Sequence, residues 1–238
     1  MRFFGFMAAL VATFAALPAA AQQQTLPSNH KEEAPDVTDK SNLWLIDLST
    51  GGRVTILLRP DVAPKMVERI KTLTRRHFYD GTIFHRVTDR PLPIAQGGDP
   101  TGTGQGNSDL PNVPAEFNYL PHARGAVAAA RTEDENSANS QFYIMFRPAL
   151  SLDKRYTVFG RVIKGMEYVD MIHRGEPPKD PSRILHAYIA SDNPPPYQAA
   201  LAQPAGANPL GDGSDLTLPP KQAKAAPATP AASADPSN

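Results

Sequence analysis

The chain has 238 residues and balances 24 Lys plus Arg against 24 Asp plus Glu, so it lacks the basic field that non-specific nucleic-acid binding requires. It contains no cysteine, which excludes thiol catalysis, disulfides and cysteine-ligated zinc. A chain without disulfides needs a sufficient apolar core, and a domain of roughly 150 residues can bury one.

The N-terminus carries an export pattern. Arg2 is followed by an uncharged, mainly apolar run from Phe3 to Leu17, and Ala19-Ala20-Ala21 offers the small-x-small site of a signal peptidase. The run is shorter than the roughly 20 apolar residues that span a bilayer. Residues 1–21 are therefore expected to be a cleaved signal, with a periplasmic destination and no stable membrane insertion afterwards. Residues 22–42 are polar, with three consecutive glutamines and a Lys31-Glu32-Glu33 cluster, and are expected to form a flexible lead-in.

One domain, 43–191, follows without internal repeats. Trp44, Ile46 and Leu48 alternate with Leu45 and Asp47, which suits a strand with one well-buried face. Ser49-Thr50-Gly51-Gly52 is a turn, and Val54, Ile56 and Leu58 alternate through a second strand, Arg53–Arg59, giving a hairpin. Asp61 can cap a helix with Pro64 in its first turn, where Val67, Ile70, Leu73 and His77 share one side. Further strands are expected at Thr82–Val87, Ala126–Ala130, Gln141–Phe146, Tyr156–Ile163 and Arg183–Ala190. A short second helix is expected from Gly165, presenting Met166, Val169 and Ile172. Many strands with two amphipathic helices suggest a mainly β protein, a barrel with helices over its open ends. Residues 192–238, rich in Pro and Ala, hold ten of the 25 prolines. They are expected to be a disordered tail, because such a composition buries too little apolar surface to offset its ordering entropy. Its one candidate docking motif is Pro194-Pro195-Pro196-Tyr197.

Several familiar chemistries find no support. Gly97 to Gly106 is glycine-rich, but no Gly-Lys-Ser/Thr follows, and Gly102-x-Gly104 leads to Asn107 where a dinucleotide fingerprint needs glycine. The loop reads as backbone turning through positive φ. The six histidines form no close ligand pair, Glu133-Asp134-Glu135 lacks the alternation of a calcium loop, and Gly-x-Ser-x-Gly is absent. No metal and no cofactor are expected.

One set of segments remains. Phe84-His85-Arg86-Val87 precedes Gln96-Gly97-Gly98-Asp99; then come Ala128-Ala129-Ala130-Arg131, Asn139-Ser140-Gln141-Phe142-Tyr143-Ile144, Leu152-Asp153 and Val158-Phe159-Gly160. In order and approximate spacing these segments resemble the cyclophilin-type peptidyl-prolyl isomerases, and with Tyr79-Asp80-Gly81-Thr82 and Pro114-Ala115-Glu116-Phe117 the resemblance spans about 150 residues. It implies a closed eight-stranded antiparallel barrel capped by two helices, which binds X-Pro segments of proline-containing polypeptides in an outer groove. It implies Arg86 as the catalytic donor, with Gln96 orienting it and contacting the peptide. Tyr143, where the family usually has phenylalanine, would floor the proline pocket, and Ile94, Leu152 and Tyr156 would line it. Ala130 and Arg131 would contact the residue before the proline. A monomer is expected.

Two departures accompany the resemblance. Eight residues, Thr88 to Ala95, separate Val87 from Gln96, about two more than usual. Counting back from Gln96 puts Pro93 where the family has a pocket phenylalanine, which leaves Leu92 to replace the ring or the pocket shallower. Ser151 stands where a large ring is frequent, and weak sensitivity to cyclosporin is expected. The alternative function is a catalytically weak binding module or chaperone on the same fold.

Overall fold

The computed structural model describes residues 34–198. The expected signal, the first part of the lead-in and most of the tail lie outside the described residues. Strand β1 (Leu43–Leu48) turns through Gly51, at φ +105°, into β2 (Gly52–Leu58). Trp44, Ile46 and Leu48 face the interior with no exposure. The other face of β1 is buried as well, contrary to the one-sided burial expected. Asp47, opposite Arg53 in the register, lies against that arginine, which donates from Nε and Nη2 to the two carboxylate oxygens at 2.6 and 2.9 Å.

Helix α1 (Pro64–Arg75) follows, with Met66, Val67, Ile70 and Leu73 buried. Its N-cap is Ala63, whose side chain caps nothing. Asp61, the expected cap, instead accepts from Arg59 Nε at 2.8 Å. The backbone donors that open every helix are met from a distance in sequence: the two Glu116 carboxylate oxygens accept from Lys65 N and Met66 N, each at 2.9 Å. His77 lies beyond the helix at φ +55°.

The remaining strands are β3 (Arg86–Thr88), β4 (Ile94–Gly97), β5 (Ala126–Ala129), β6 (Phe142–Met145), β7 (Val158–Lys164) and β8 (Ile184–Ile189), with α2 (Met166–Asp170) between β7 and β8. Strand β4 was not expected: it is short, contains glycine and follows Pro91 and Pro93, which read as loop punctuation. Gly165, at φ +82°, enters α2 against the Arg53 carbonyl, so closely that a Cβ would collide with it.

All neighbours pair antiparallel in the order β3-β4-β6-β5-β7-β2-β1-β8. The sheet is open, which corrects the closed barrel expected. Its edges, β3 and β8, share no ladder. The segment before β3 spans the gap by isolated bonds, with Gly81 N and Phe84 N donating to the carbonyls of Ile184 and Ser182 at 2.8 and 2.9 Å. This is why the strand expected from Thr82 begins only at Arg86. The enclosed core is filled by side chains, with Trp44, Tyr79, Phe84 and Phe142 forming a ring cluster; Trp44 meets Phe142 edge-on at 5.0 Å between centroids.

Ordered chain extends past both expected domain edges. Asn42 Oδ1 accepts from Lys71 Nζ at 2.9 Å. At the other end Asp192 pairs with Arg75, the Pro195 carbonyl accepts from Arg53 Nη2 at 2.8 Å, and the Tyr197 hydroxyl donates to the Leu48 carbonyl at 3.1 Å. The first residues of the supposed tail thus lie against the hairpin and α1. Among the described residues no helix is long and apolar enough to cross a membrane.

Candidate active site

Side chains on a strand alternate between the two faces of its sheet, and cross-strand partners share a face. The register pairs Arg86 with Gln96, Gln96 with Tyr143, Tyr143 with Ala128, and Ala128 with Val158. One transverse row across five strands therefore carries Arg86, Gln96 and Tyr143 on the same face. The adjacent row, Val87, Ala95, Ile144 and Val127, belongs to the enclosed core. The Arg86 row has its own apolar cluster of Ile94, Ala126, Ala128, Tyr143, Met145 and Val158, with Leu92, Ala130, Leu152 and Tyr156 packed onto it.

On this outer cluster sits an open cavity of about 130 Å³, lined by Arg86, Leu92, Ile94, Gln96, Ala130, Arg131, Tyr143, Leu152 and Tyr156. All eight residues named from the resemblance are brought together there. Leu92 completes the wall, while the Pro93 carbonyl accepts from Phe146 N at 2.8 Å. The longer linker resolves into a turn between β3 and β4, with Leu92 held by a 2.6 Å bond from Thr88 Oγ1 to its carbonyl. A dry apolar cavity of roughly 150 Å³ accepts a benzene ring, so this one suits a five-membered ring.

The floor is Tyr143, 5% exposed, with the Tyr156 ring edge-on at 6.0 Å. The Tyr143 hydroxyl is turned away from the cavity and lies 3.0 Å from Nε2 of the fully buried His122. Asp153 Oδ1 accepts from the His122 backbone N–H at 2.8 Å and stands 2.9 Å from Nδ1. Burial holds the His122 imidazole below its ordinary range, against the opposing pull of Asp153. Neutral His122 therefore carries its proton on Nδ1, facing the carboxylate, and Nε2 accepts from the tyrosine. Burial also pushes the Tyr143 phenol upward, so its proton stays in this bond. The Leu152-Asp153 pair serves two layers, with Leu152 on the cavity and Asp153 beneath its floor.

Gln96 does not orient Arg86 as expected. Its Nε2 donates to Gln141 Oε1 at 3.0 Å, and Gln141 Nε2 donates to the carbonyls of Gly104 and Gly106 at 3.1 and 2.8 Å. Arg86 is held instead by Glu176, whose Oε1 accepts from Arg86 Nε at 2.7 Å. Among the described residues the terminal nitrogens of Arg86 have no partner. Arg131 lies over the Tyr156 ring at 4.6 Å and donates to the carbonyls of Thr132, Glu133 and Arg155. It shapes the rim, and its terminal nitrogens are already engaged.

The glycine loop beside the site is wound around buried Asp99, which accepts from the backbone N–H of Thr101, Gly104 and Gly106 and from Thr101 Oγ1. Although burial alone would raise it, these bonds hold the Asp99 carboxyl below its ordinary range. The N–H groups that a phosphate would need are consumed. His85, buried with both ring nitrogens unpartnered, is held below the ordinary imidazole range by burial.

His122, Gln141 and Glu176 escaped the sequence reading as site residues. The first two are a lone histidine and one letter of a longer motif, and Glu176 is 90 residues from the arginine it holds. The Tyr143–His122 bond predicts that Tyr143→Phe leaves Nε2 buried and unpartnered, at a cost of about 1–3 kcal/mol. Denaturant unfolding of parent and variant at neutral pH measures it; equal stability would remove the hydroxyl from the account.

The profile of the family described as "Cyclophilin type peptidyl-prolyl cis-trans isomerase/CLD" matches residues 45–189. A protein of Brucella suis named "Probable peptidyl-prolyl cis-trans isomerase" is 40% identical over 176 residues, covering 67% of this chain and 88% of its own. A Schizosaccharomyces pombe peptidyl-prolyl cis-trans isomerase is 36% identical over 125 residues, covering 51% of this chain and 79% of its own. Among solved structures, a cyclophilin from Hirschia baltica superimposes with a TM-score of 0.60 at 29% identity, covering 66% of this chain and 77% of that one. A Cryptosporidium parvum cyclophilin, crystallised in the presence of the dipeptide Ala-Pro, gives a TM-score of 0.57 at 27% identity, covering 62% and 98%. With the Arg86 row, the ring-sized cavity and these likenesses in place, the chain belongs to the cyclophilin-type peptidyl-prolyl cis-trans isomerases.

Proposed function

We propose that this chain isomerises X-Pro bonds of exported polypeptides in the periplasm, as a monomer free of the membrane, with Arg86 as the catalytic donor. The observation that carries the reading is the Arg86 guanidinium, its terminal N–H groups free among the described residues, on the rim of an apolar cavity of about 130 Å³. The Ala-Pro dipeptide used with the Cryptosporidium parvum relative supports a proline-containing ligand.

The chemistry is rotation about an amide whose resonance sets a barrier of roughly 18–20 kcal/mol. No covalent bond forms or breaks, so catalysis consists of holding the twisted amide more tightly than either planar isomer. Twisting removes resonance and makes the prolyl nitrogen a better hydrogen-bond acceptor. Arg86 supplies a permanent charge and a rigid fork of donors at that point. Tyr143, Leu92, Ile94, Leu152 and Tyr156 hold the proline ring, and Gln96 and Ala130 meet the flanking peptide. Leu92 restores the wall that Pro93 does not provide, which favours an enzyme over a binding module with a weakened site.

A protease-coupled assay on an Ala-Pro peptide is expected to show catalysed isomerisation, and Arg86→Ala to lower kcat/KM about a hundredfold or more, as for loss of a preorganised donor. Folded protein that gives no rate above background leaves the binding-module reading, and an unchanged Arg86→Ala rate removes the mechanism. For the export half of the proposal, N-terminal sequencing of protein recovered from the periplasm of a Gram-negative host is expected to begin at Gln22. Uncleaved protein in the cytoplasm would contradict it.

A further inference from the structure

Arg86 must present its terminal nitrogens to the twisted amide, and a long, half-exposed side chain does not do so unaided. An arginine loses much rotamer freedom when fixed, so something must hold it. Gln96, its cross-strand partner, is engaged with Gln141. The one side chain bonded to Arg86 among the described residues is Glu176, at 2.7 Å from Nε.

The backbone places Glu176 there by construction. Val87 and Gly175 exchange two backbone hydrogen bonds, Val87 N to the Gly175 carbonyl and Gly175 N to the Val87 carbonyl, each 2.8 Å. Those bonds tie the residue after Arg86 to the residue before Glu176. Gly175 sits at φ +148°, and a Cβ on it would meet Pro178 Cα at 2.5 Å, so the turn tolerates no side chain there. The carboxylate takes the Nε–H and leaves the four N–H groups of the terminal nitrogens for a ligand. The pair is exposed, with side chains 38% and 50% accessible, and such pairs contribute little to stability. Its worth therefore lies in geometry.

We propose that Glu176 is the positioning residue of the site, fixing the Arg86 guanidinium by accepting from Nε so that its terminal nitrogens face the prolyl amide. This rests on the isomerase reading above. Misplacing a catalytic group by about an ångström can cost on the order of a hundredfold in rate. Glu176→Ala is accordingly expected to lower kcat roughly ten- to a hundredfold with KM little changed. Glu176→Gln keeps an oxygen that can accept from Nε–H, and is expected to recover part of that loss. In an Arg86→Ala background the same change should have no further effect, because the two residues act as a unit.

A second readout does not need turnover. The Nε–H resonance of Arg86, assigned by comparison with Arg86→Ala, is expected to be protected in the parent and to move or broaden in Glu176→Ala. Thermal melts identify any variant that has lost its fold, in which case Glu176→Gln carries the comparison. A Glu176→Ala enzyme with parental kcat, or the same proportional loss with and without Arg86, overturns the proposal. So does a resonance that ignores Glu176. A parent without isomerase activity would count against the functional reading, and the resonance would still decide the pairing.

Discussion

Side-chain alternation across the sheet is the constraint on which the site depends. Val87, Ala95, Ile144 and Val127 fill the enclosed side, together with Trp44, Phe84 and Phe142. Among the described residues side chains fill that core, and the cavity beside Arg86 is built on the other face. The strand period of two then decides which side chains can reach it. Arg86, Gln96 and Tyr143 fall in one row because β3, β4 and β6 are paired in the register observed. A slip of one residue on any of these strands would turn its side chain into the core, which ties the arrangement of the proposed site to the same packing that holds the fold.

Beneath and beside that row three polar side chains of the cavity are held by further polar groups. Tyr143 is tied to His122 and Asp153, Gln96 to Gln141 and through it to the glycine loop, and Arg131 to three backbone carbonyls. Buried donors and acceptors left without partners are costly, and these networks meet that cost while fixing orientation. The tyrosine floor illustrates the coupling. A phenolic oxygen in an apolar pocket would need a partner, and His122, kept neutral by burial, supplies the acceptor without exposing a polar atom to the ligand.

Much of this was legible in the chain. The hairpin and the amphipathic α1 follow from alternation and helical spacing, and the cavity residues from the resemblance to the cyclophilin family. Other features depend on tertiary partners that local pattern does not encode. Strand β4 has too few apolar residues and too many neighbouring prolines to announce itself, and it exists because β3 and β6 flank it. The α1 cap is Glu116, some 50 residues away, while the nearer Asp61 is claimed by Arg59. The open sheet was hidden because the start of the strand expected at Thr82–Val87 makes only isolated bonds across the gap. The family resemblance implied Gln96 as the partner of Arg86; Gln96 is bonded to Gln141 instead, and a glutamate 90 residues from Arg86 accepts from its Nε.

The central claim is that the outer face of the β3-β4-β6 row is where a proline-containing peptide binds. Titrating isotope-labelled protein with an Ala-Pro peptide and following backbone and side-chain NMR resonances tests it directly. The account predicts perturbations concentrated at Arg86, Leu92, Gln96, Ala130 and Tyr143, with exchange between the cis and trans forms of the bound peptide. Perturbations confined to residues outside the cavity, around Arg53, Tyr188 and α1, would contradict it.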